Sequence, residues 1–236
     1  MSKACVIFDF DGVIADTESL HLAAYNHALK ILAPQIGREL QIAPREYFSN
    51  YIVYGNFEAF RNMLHDAGLS PTTGLIEKLC EEKDRIMDAH LGELAAPLPG
   101  VKRLLDHLKE TRIPCGICSG ARRAEITTLL RAFGILERFA EIVTIEDVRM
   151  CKPDPEGYAV AFEKLWRHFD AEIEKEFSLV IEDTAGGAAA AHGAGLRVLG
   201  VAAGRDQKSI RAWADYVVED LSQLDLAEFD RWLSVR

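Results

Sequence analysis

Two aspartates follow a short apolar run near the start of the chain. In "CVIFDFDGVIADTE", Cys5–Glu18, apolar residues lead directly to Asp9 and Asp11, which a single phenylalanine separates. A carboxylate at the end of a buried segment is unfavourable unless a cation or hydrogen bonds compensate its charge. This stretch therefore indicates either a strand end that reaches solvent or a site that requires negative charge.

Further polar residues follow other apolar runs. Ser119 and Gly120 follow "CGIC", Glu182 and Asp183 follow "LVI", and Lys152 lies in "CKPDP". If the runs are parallel strands, their carboxyl ends share one edge of a sheet, where ligands bind in such folds. Four carboxylates, a hydroxyl and an ammonium would then converge. Four like charges at close range do not all ionise without a cation, and oxygen ligands in this number suit Mg²⁺.

The elements that would position these residues alternate along the chain. Short, continuously apolar runs are typical of parallel strands buried on both faces, and they occur at Cys5–Phe8, Ile113–Cys118, Ile142–Ile145, Leu179–Ile181, Arg197–Val201 and Tyr216–Val218. Helical patterns lie between them, as at Val101–Lys109 and Ala124–Phe133. The alternation predicts an α/β fold with a doubly wound, Rossmann-like parallel sheet.

Residues 17–96 interrupt this alternation and predict an inserted helical domain. Their apolar residues recur at helical spacing in three stripes, which are Leu20, Ala24, Ala28 and Ile31, then Phe57, Phe60, Leu64 and Ala67, then Ile76, Leu79, Ile86 and Met87. We expect residues 1–16 and 97–236 to form the core, with "AAPLPG", Ala95–Gly100, as the return linker. An insertion of this kind can act as a lid.

Composition excludes some classes of partner. The net charge is −10 and no block of Lys and Arg occurs, which argues against binding to nucleic acid or to an anionic membrane. No apolar run reaches the 18 or more residues of a membrane-spanning helix, and no segment resembles a signal peptide. The five cysteines are scattered, and the pair Cys115–Cys118 lies within an apolar run. We therefore expect reduced thiols and a cytoplasmic protein.

In order and spacing these segments resemble the motifs of the haloacid dehalogenase-like superfamily. "DFDGVIADTE" is similar to the first motif, "CSG" to the second, the lysine of "CKPDP" to the third and "IEDT" to the fourth. The inserted helices resemble the C1 cap of that superfamily. The resemblance covers essentially the whole chain, and it implies a phosphatase for small metabolites or a β-phosphoglucomutase.

The resemblance implies roles for the carboxylates. Asp9 would attack phosphorus and become an aspartyl phosphate, while Asp11 would act as general acid and then as general base. Asp9, Asp183 and the carbonyl of Asp11 would bind Mg²⁺. Glu182 would be either a further ligand or an outer partner.

The resemblance also implies roles for polar groups around them. Ser119 and the neighbouring backbone at Gly120 would hold the phosphoryl oxygens, and Lys152 would neutralise charge beside the nucleophile. In the inserted domain, Lys83 interrupts an apolar stripe and either extends to solvent or faces the substrate. His21 is either a substrate contact or a packed histidine, and Thr17, at the start of the insertion, is included among the substrate-binding candidates.

The sequence thus predicts an Mg²⁺-dependent phosphatase for a small phosphorylated metabolite, present as a monomer or homodimer. A β-phosphoglucomutase-like enzyme is the alternative, and a non-catalytic phosphate-binding module is a third reading. A mutase needs a second phosphate site, yet Asn50–Glu58 contains no Arg or Lys, although Arg45 and Arg61 flank it. A dehalogenase is disfavoured because Asp11 is present.

Overall fold

The computed structural model describes residues 4–52, 54–90, 97–169 and 173–234. The chain divides into two compact units. The core unit comprises Met1–Asp16 and Leu94–Arg236, and the cap unit comprises Thr17–Glu93. The predicted return linker begins at Ala95 and Ala96, which lie outside the described residues.

The core unit contains a six-stranded, wholly parallel sheet in the order β3-β2-β1-β4-β5-β6. In this register Phe8 lies opposite both Ile117 and Ile181. The predicted α/β fold with a doubly wound sheet is confirmed. The strands are β1 Val6–Phe8, β2 Cys115–Cys118, β3 Glu141–Val143, β4 Leu179–Glu182, β5 Arg197–Val201 and β6 Tyr216–Val218.

The described part of the cap unit is helical. Its helices are α1 Glu18–Ile31, α2 Ala33–Ile36, α3 Pro44–Asn50, α4 Asn56–Asp66 and α5 Thr73–His90. Helix α5 packs against both α1 and α4. Tyr25 of α1 packs edge-on against Phe60 of α4, with ring centroids 4.9 Å apart.

Two residues of the predicted apolar stripes are exposed, and Leu20 and Ala67 are partly buried. Ile31 is 43% exposed and Phe57 is 37% exposed, so the stripes were wrong at these positions. Both lie near helix ends, where the turn has fewer neighbours. On α1 the buried face includes Tyr25 and Leu29, which shifts it away from Ile31.

Helices cover the sheet of the core unit. They are α6 Val101–Thr111, α7 Arg123–Phe133, α8 Glu156–His168, α9 Ala185–Gly193, α10 Gln207–Ile210 and α11 Leu226–Trp232. Helix α7 ends at Gly134, which has a φ of 70°, as a left-handed C-terminal residue requires. Helices α8 and α9 pack against strand residues such as Ile7 and Val180 in one apolar cluster.

The two cysteines of the C-x-x-C sequence belong to this interior. Cys115 and Cys118 are buried and free, and burial raises the pKa of each thiol to about 12. Buried thiols with a raised pKa react poorly, so the two cysteines fit the interior as small apolar side chains. Among the described helices, none combines the length and the apolar character needed to cross a bilayer.

Candidate active site

The two aspartates of the first motif lie where the central strand ends. Strand β1 is fully buried between β2 and β4, and the amide of Asp9 donates to Ile181 O at 2.9 Å, which extends the ladder by one residue. Asp9 is 7% exposed. The chain then turns through Gly12, whose φ is +74°. The buried sheet therefore holds the carboxylate of Asp9 on a rigid base.

Lys152 joins Asp9 to the end of β4. Its Nζ lies 2.8 Å from Asp9 Oδ1 and 2.7 Å from Glu182 Oε1. The buried side chain of Tyr158 on α8 supports this pair, because its hydroxyl donates to Glu182 Oε1 at 2.9 Å. Lys152 Nζ also lies 4.8 Å from the centre of the Tyr158 ring. Lys152 is thus fixed between two carboxylates and an aromatic face.

Both carboxylate oxygens of Glu182 are engaged within the protein. In addition to the contacts on Oε1, Oε2 accepts from the amides of Asp183 and Thr184 and from the Thr184 hydroxyl, each at 2.9 Å. Glu182 has no exposed surface. Of the two roles considered for Glu182, this geometry favours an outer partner over a direct metal ligand.

The start of α9 approaches Glu182 so closely that it requires glycine. A Cβ built on Gly187 would lie 1.6 Å from Glu182 Oε1. The Ala- and Gly-rich sequence of α9 thus serves close packing of a helix on the sheet.

Asp183 presents two different oxygens. Arg205 Nη2 lies 3.1 Å from Oδ2, whereas Oδ1 is buried with no hydrogen-bond partner among the described residues. A Cβ at Gly12 would lie 2.4 Å from Oδ2, so only glycine allows the first-motif turn to come so near. A buried carboxylate oxygen without a partner is unfavourable unless a ligand satisfies it.

Ser119 lies at the end of β2, next to the first motif. Its hydroxyl is 3.4 Å from Asp11 Oδ2, a long hydrogen bond, and it accepts from the amide of Ala121 at 3.0 Å. Gly120 is exposed, and a Cβ there would meet nothing within 4 Å. Space beside the backbone at this position is therefore open.

Burial and mutual repulsion shift the acidity of this cluster. Burial raises the pKa of Asp9 well above its usual value, although Lys152 opposes the shift. Burial and the charge of Glu182 raise the pKa of Asp183 to about 7, with Arg205 opposing. Burial would raise the pKa of Glu182 too, but Lys152 and hydrogen bonds bring it below the usual value. Burial alone would lower the pKa of Lys152, but Asp9 and Glu182 raise it well above its usual value.

The donor set fits a hard divalent cation. Ligand oxygens of Asp9, Glu182 and Asp183 lie within 4.8 Å of one another. Among the described residues, Lys152 and Arg205 are the cations in ion pairs with Asp9, Glu182 and Asp183, while Asp11 adds a fourth carboxylate and Asp183 Oδ1 has no hydrogen-bond partner. Oxygen ligands with spare negative charge are those that Mg²⁺ takes in proteins.

The candidates of the cap unit form a group of their own. His21 Nδ1 lies 3.0 Å from Lys83 Nζ, and Lys83 is almost fully buried, with Nζ 4.7 Å from the centre of the Tyr25 ring. The carbonyl of Thr17 accepts from the amide of His21 at 2.8 Å. The structure thus brings Thr17, His21 and Lys83 together within this unit.

Sequence reasoning missed two residues of the core site. Arg205 lies in the loop after β5, and applying the strand-end rule to this fifth strand would have found it. Tyr158 lies on α8, six residues after Lys152, and an aromatic side chain in a helix indicates only a core position. A long-range contact of this kind leaves no local signal in the sequence.

Three known proteins are similar to this chain over most of its length. β-Phosphoglucomutase of Bacillus subtilis (strain 168) is 28% identical over 228 residues, which cover 94% of this chain and 91% of that protein. Validoxylamine A 7'-phosphate phosphatase of Streptomyces hygroscopicus subsp. limoneus is 29% identical over 227 residues, covering 92% and 94%. The crystal structure of CbbY from Rhodobacter sphaeroides in complex with phosphate superposes with a TM-score of 0.81 at 27% identity, covering 98% of this chain and 100% of that one.

A family model supplies the assignment. The model described as haloacid dehalogenase-like hydrolase matches residues 6–201, a span that contains every predicted motif. The carboxylates, the lysine and the serine stand at the strand ends and in the loop where the motifs predicted them. The chain belongs to the haloacid dehalogenase-like hydrolase family.

Proposed function

We propose that the protein is an Mg²⁺-dependent phosphatase that hydrolyses a small phosphorylated metabolite of the carbohydrate type. The observation that carries the proposal is the arrangement around Asp9. This buried carboxylate is bound to Lys152, lies two residues from Asp11 and is grouped with Asp183. Relatives named as phosphatases of validoxylamine A 7'-phosphate and of phosphorylated carbohydrates support the substrate class.

In the proposed reaction Asp9 is the nucleophile. One of its oxygens attacks phosphorus in line with the leaving alcohol, the P–O bond to that alcohol breaks, and an aspartyl phosphate forms. Lys152 orients Asp9 and opposes the rise in its pKa that burial causes, because an adjacent ammonium favours the carboxylate form. Its contacts with Glu182 and Tyr158 prevent it from moving away.

Asp11 is the proposed proton carrier. It gives a proton to the leaving oxygen and then takes one from the water that attacks the aspartyl phosphate, so that phosphate and the free enzyme result. The hydroxyl of Ser119 and the open backbone at Gly120 are proposed to hold the phosphoryl oxygens. Positioning and charge stabilisation account for most of the rate enhancement in phosphoryl transfer.

Asp9, Asp183 and the backbone carbonyl of Asp11 are proposed to hold Mg²⁺, with Glu182 as an outer partner. When bound, the ion neutralises charge on the phosphoryl oxygens. Glu182 acts through the groups it holds, because its own oxygens are already engaged.

The mutase alternative is retained as the outcome of an experiment. A relative named as a β-phosphoglucomutase supports it, and the absence of Arg and Lys from the sequence of Asn50–Glu58 argues against it. Purified protein with Mg²⁺ should be assayed for phosphate release from a panel of phosphorylated sugars and polyols. β-Glucose 1-phosphate with a trace of the 1,6-bisphosphate belongs in the same panel.

Net release of phosphate, without a bisphosphate activator, is the expected result. Isomerisation of β-glucose 1-phosphate much faster than phosphate release would identify a mutase instead. Binding of phosphorylated sugars with no turnover would indicate a binding module. The substrate contacts of Thr17, His21 and Lys83, the cytoplasmic location and the choice between monomer and homodimer stay predictions.

A further inference from the structure

Arg205 contacts the carboxylate cluster and has no role in the reaction described above. It lies in the loop 202–206, which follows β5. Strand β5 is the neighbour of β4 in the sheet. Its guanidinium has three acceptors, because Nε donates to Ala202 O at 3.0 Å and Nη2 donates to Val201 O at 3.1 Å and to Asp183 Oδ2 at 3.1 Å. Two of the acceptors are carbonyls close in sequence, so the planar fork is held in one orientation.

The loop that carries Arg205 is itself fixed by Glu219. Ala203 and Gly204 have φ values of 48° and 85°, and a non-glycine residue in this region is strained. The carbonyl of Glu219 accepts from the amide of Ala203 at 2.8 Å. Its carboxylate accepts from Gly204 N at 2.8 Å and from Gln207 Nε2 at 3.1 Å. Strain of this kind persists only where the surroundings hold it, so the position of Arg205 is well determined.

This arrangement makes the two oxygens of Asp183 unequal, with Oδ2 held by Arg205 and Oδ1 buried and without a hydrogen-bond partner among the described residues. We propose that Arg205 is a positioning residue of the metal site, which holds Asp183 Oδ2 so that only Oδ1 binds the cation, and which thereby favours Mg²⁺ over Ca²⁺. This inference rests on one part of the proposed function, which is that the protein binds Mg²⁺ at Asp183.

The selectivity follows from the coordination chemistry of the two ions. Mg²⁺ is small and requires near-octahedral geometry, whereas Ca²⁺ is larger and also takes both oxygens of one carboxylate. A carboxylate with one oxygen held by Arg205 coordinates a cation through its other oxygen alone, and this monodentate ligation suits Mg²⁺. Without Arg205, the carboxylate of Asp183 can rotate and bind a cation through both oxygens. Charge alone predicts a different result, because deleting a nearby positive charge should tighten the binding of both cations.

The test is calorimetric titration of chelator-stripped protein with Mg²⁺ and, separately, with Ca²⁺, without substrate. Arg205→Gln should weaken Mg²⁺ binding about tenfold, the usual effect of removing the partner of a ligating group. Ca²⁺ binding should change by less than about twofold, because Ca²⁺ tolerates either ligation mode. Lys208→Gln is the matched control, since it removes an exposed positive charge three residues away and should change neither affinity.

Circular dichroism establishes that each variant is folded. If Arg205→Gln does not fold, Arg205→Lys takes its place in the experiment. Lysine keeps the positive charge but lacks the planar guanidinium, so this variant should also bind Mg²⁺ more weakly than the wild type. Equal or tighter Mg²⁺ binding, or equal weakening for both ions, would overturn the inference. Wild-type protein that binds no Mg²⁺ would overturn it together with the metal of the proposed function. Wild-type protein that binds Mg²⁺ but releases no phosphate would contradict the proposed function alone.

Discussion

At the scale of single residues, Asp9 combines burial with a charged partner. Asp9→Asn keeps the size of the side chain but removes the proposed nucleophile and a proposed metal ligand. The rate of phosphate release should therefore fall below about 1% of the wild-type rate, since nucleophiles typically contribute several orders of magnitude. The melting temperature should change little.

Asp66→Asn is the control for this prediction. It makes the same chemical change at an exposed residue of α4 and keeps an acceptor for the Tyr51 hydroxyl. Its rate should equal that of the wild type. Retention of more than about 1% of the rate by Asp9→Asn would refute nucleophilic catalysis by Asp9.

Asp183 gives the metal-free protein a dependence of stability on pH. Its pKa is raised from 3.8 to about 7 in the folded state, so the folded protein binds this proton more tightly than the unfolded chain. The resulting stabilisation is complete below about pH 4 and is lost as the pH rises through 7, with an upper bound of about 4 kcal/mol. The melting temperature in chelator should therefore fall between pH 5 and pH 8.

Asp183→Asn isolates this contribution, because the amide has the same shape and does not titrate. The variant should show a flatter profile of melting temperature against pH than the wild type. Parallel profiles for the two proteins would show that Asp183 does not cause the dependence.

At the scale of elements, the contact of α9 with β4 depends on one missing side chain. Gly187→Ala would place a methyl group 1.6 Å from Glu182 Oε1, so either the helix or the carboxylate must move. Overpacking of this kind destabilises by about 1–3 kcal/mol, and the displaced Glu182 should also lower the rate. Urea unfolding and the phosphate-release assay measure the two effects.

Gly186→Ala is the control within the same helix. A Cβ there would meet nothing within 4 Å, and alanine favours a helix over glycine by up to about 1 kcal/mol. The variant should be as stable as the wild type or more so. If both variants unfold at the same urea concentration, the close approach of α9 to Glu182 is not a constraint on stability.

Regular elements were more predictable from sequence than irregular contacts. Continuous apolar runs predicted all six strands, and Arg197–Val201 and Tyr216–Val218 have the predicted bounds. The predicted strand Ile142–Ile145 extends two residues beyond the end of β3. Ile145 begins a 3₁₀ turn, and an apolar run does not distinguish such a turn from a strand. The apolar stripes did not predict the exposure of Ile31 and Phe57, because burial near a helix end depends on tertiary neighbours rather than on spacing.

The same reasoning explains which site residues were predictable. Asp9 and Ser119 each follow a strand of the parallel sheet and Glu182 is the last residue of β4, so topology alone brings them to one edge. The strand-end rule would place Arg205 near this edge, but its hydrogen bond to Asp183 also depends on the loop conformation that contacts with Glu219 hold. Relations of this kind require coordinates.

At the scale of the whole molecule, the metal should link activity to stability. A chelator should abolish phosphate release, and Mg²⁺ should restore it. At a concentration about 100 times its dissociation constant, Mg²⁺ should add about 2.7 kcal/mol to the free energy of unfolding. For a chain of this size that raises the melting temperature by roughly 5–10 °C.

Monovalent salt at equal ionic strength is the control, and it should neither restore activity nor raise the melting temperature to this extent. Full activity in the presence of chelator would contradict the metal assignment. A rise in melting temperature without recovery of activity would show that the cation binds but has no part in the reaction.

The central place of β1 in the sheet has a consequence for how the protein opens. Its backbone bonds to β2 on one side and β4 on the other, and the Asp9 amide is bound to Ile181 O. An amide in that position exchanges with solvent deuterium only when the sheet itself comes apart. Fraying of the outer strand β6 would leave the slowest-exchanging amides untouched, so the amide of Asp9 should be among the last backbone positions to take up deuterium.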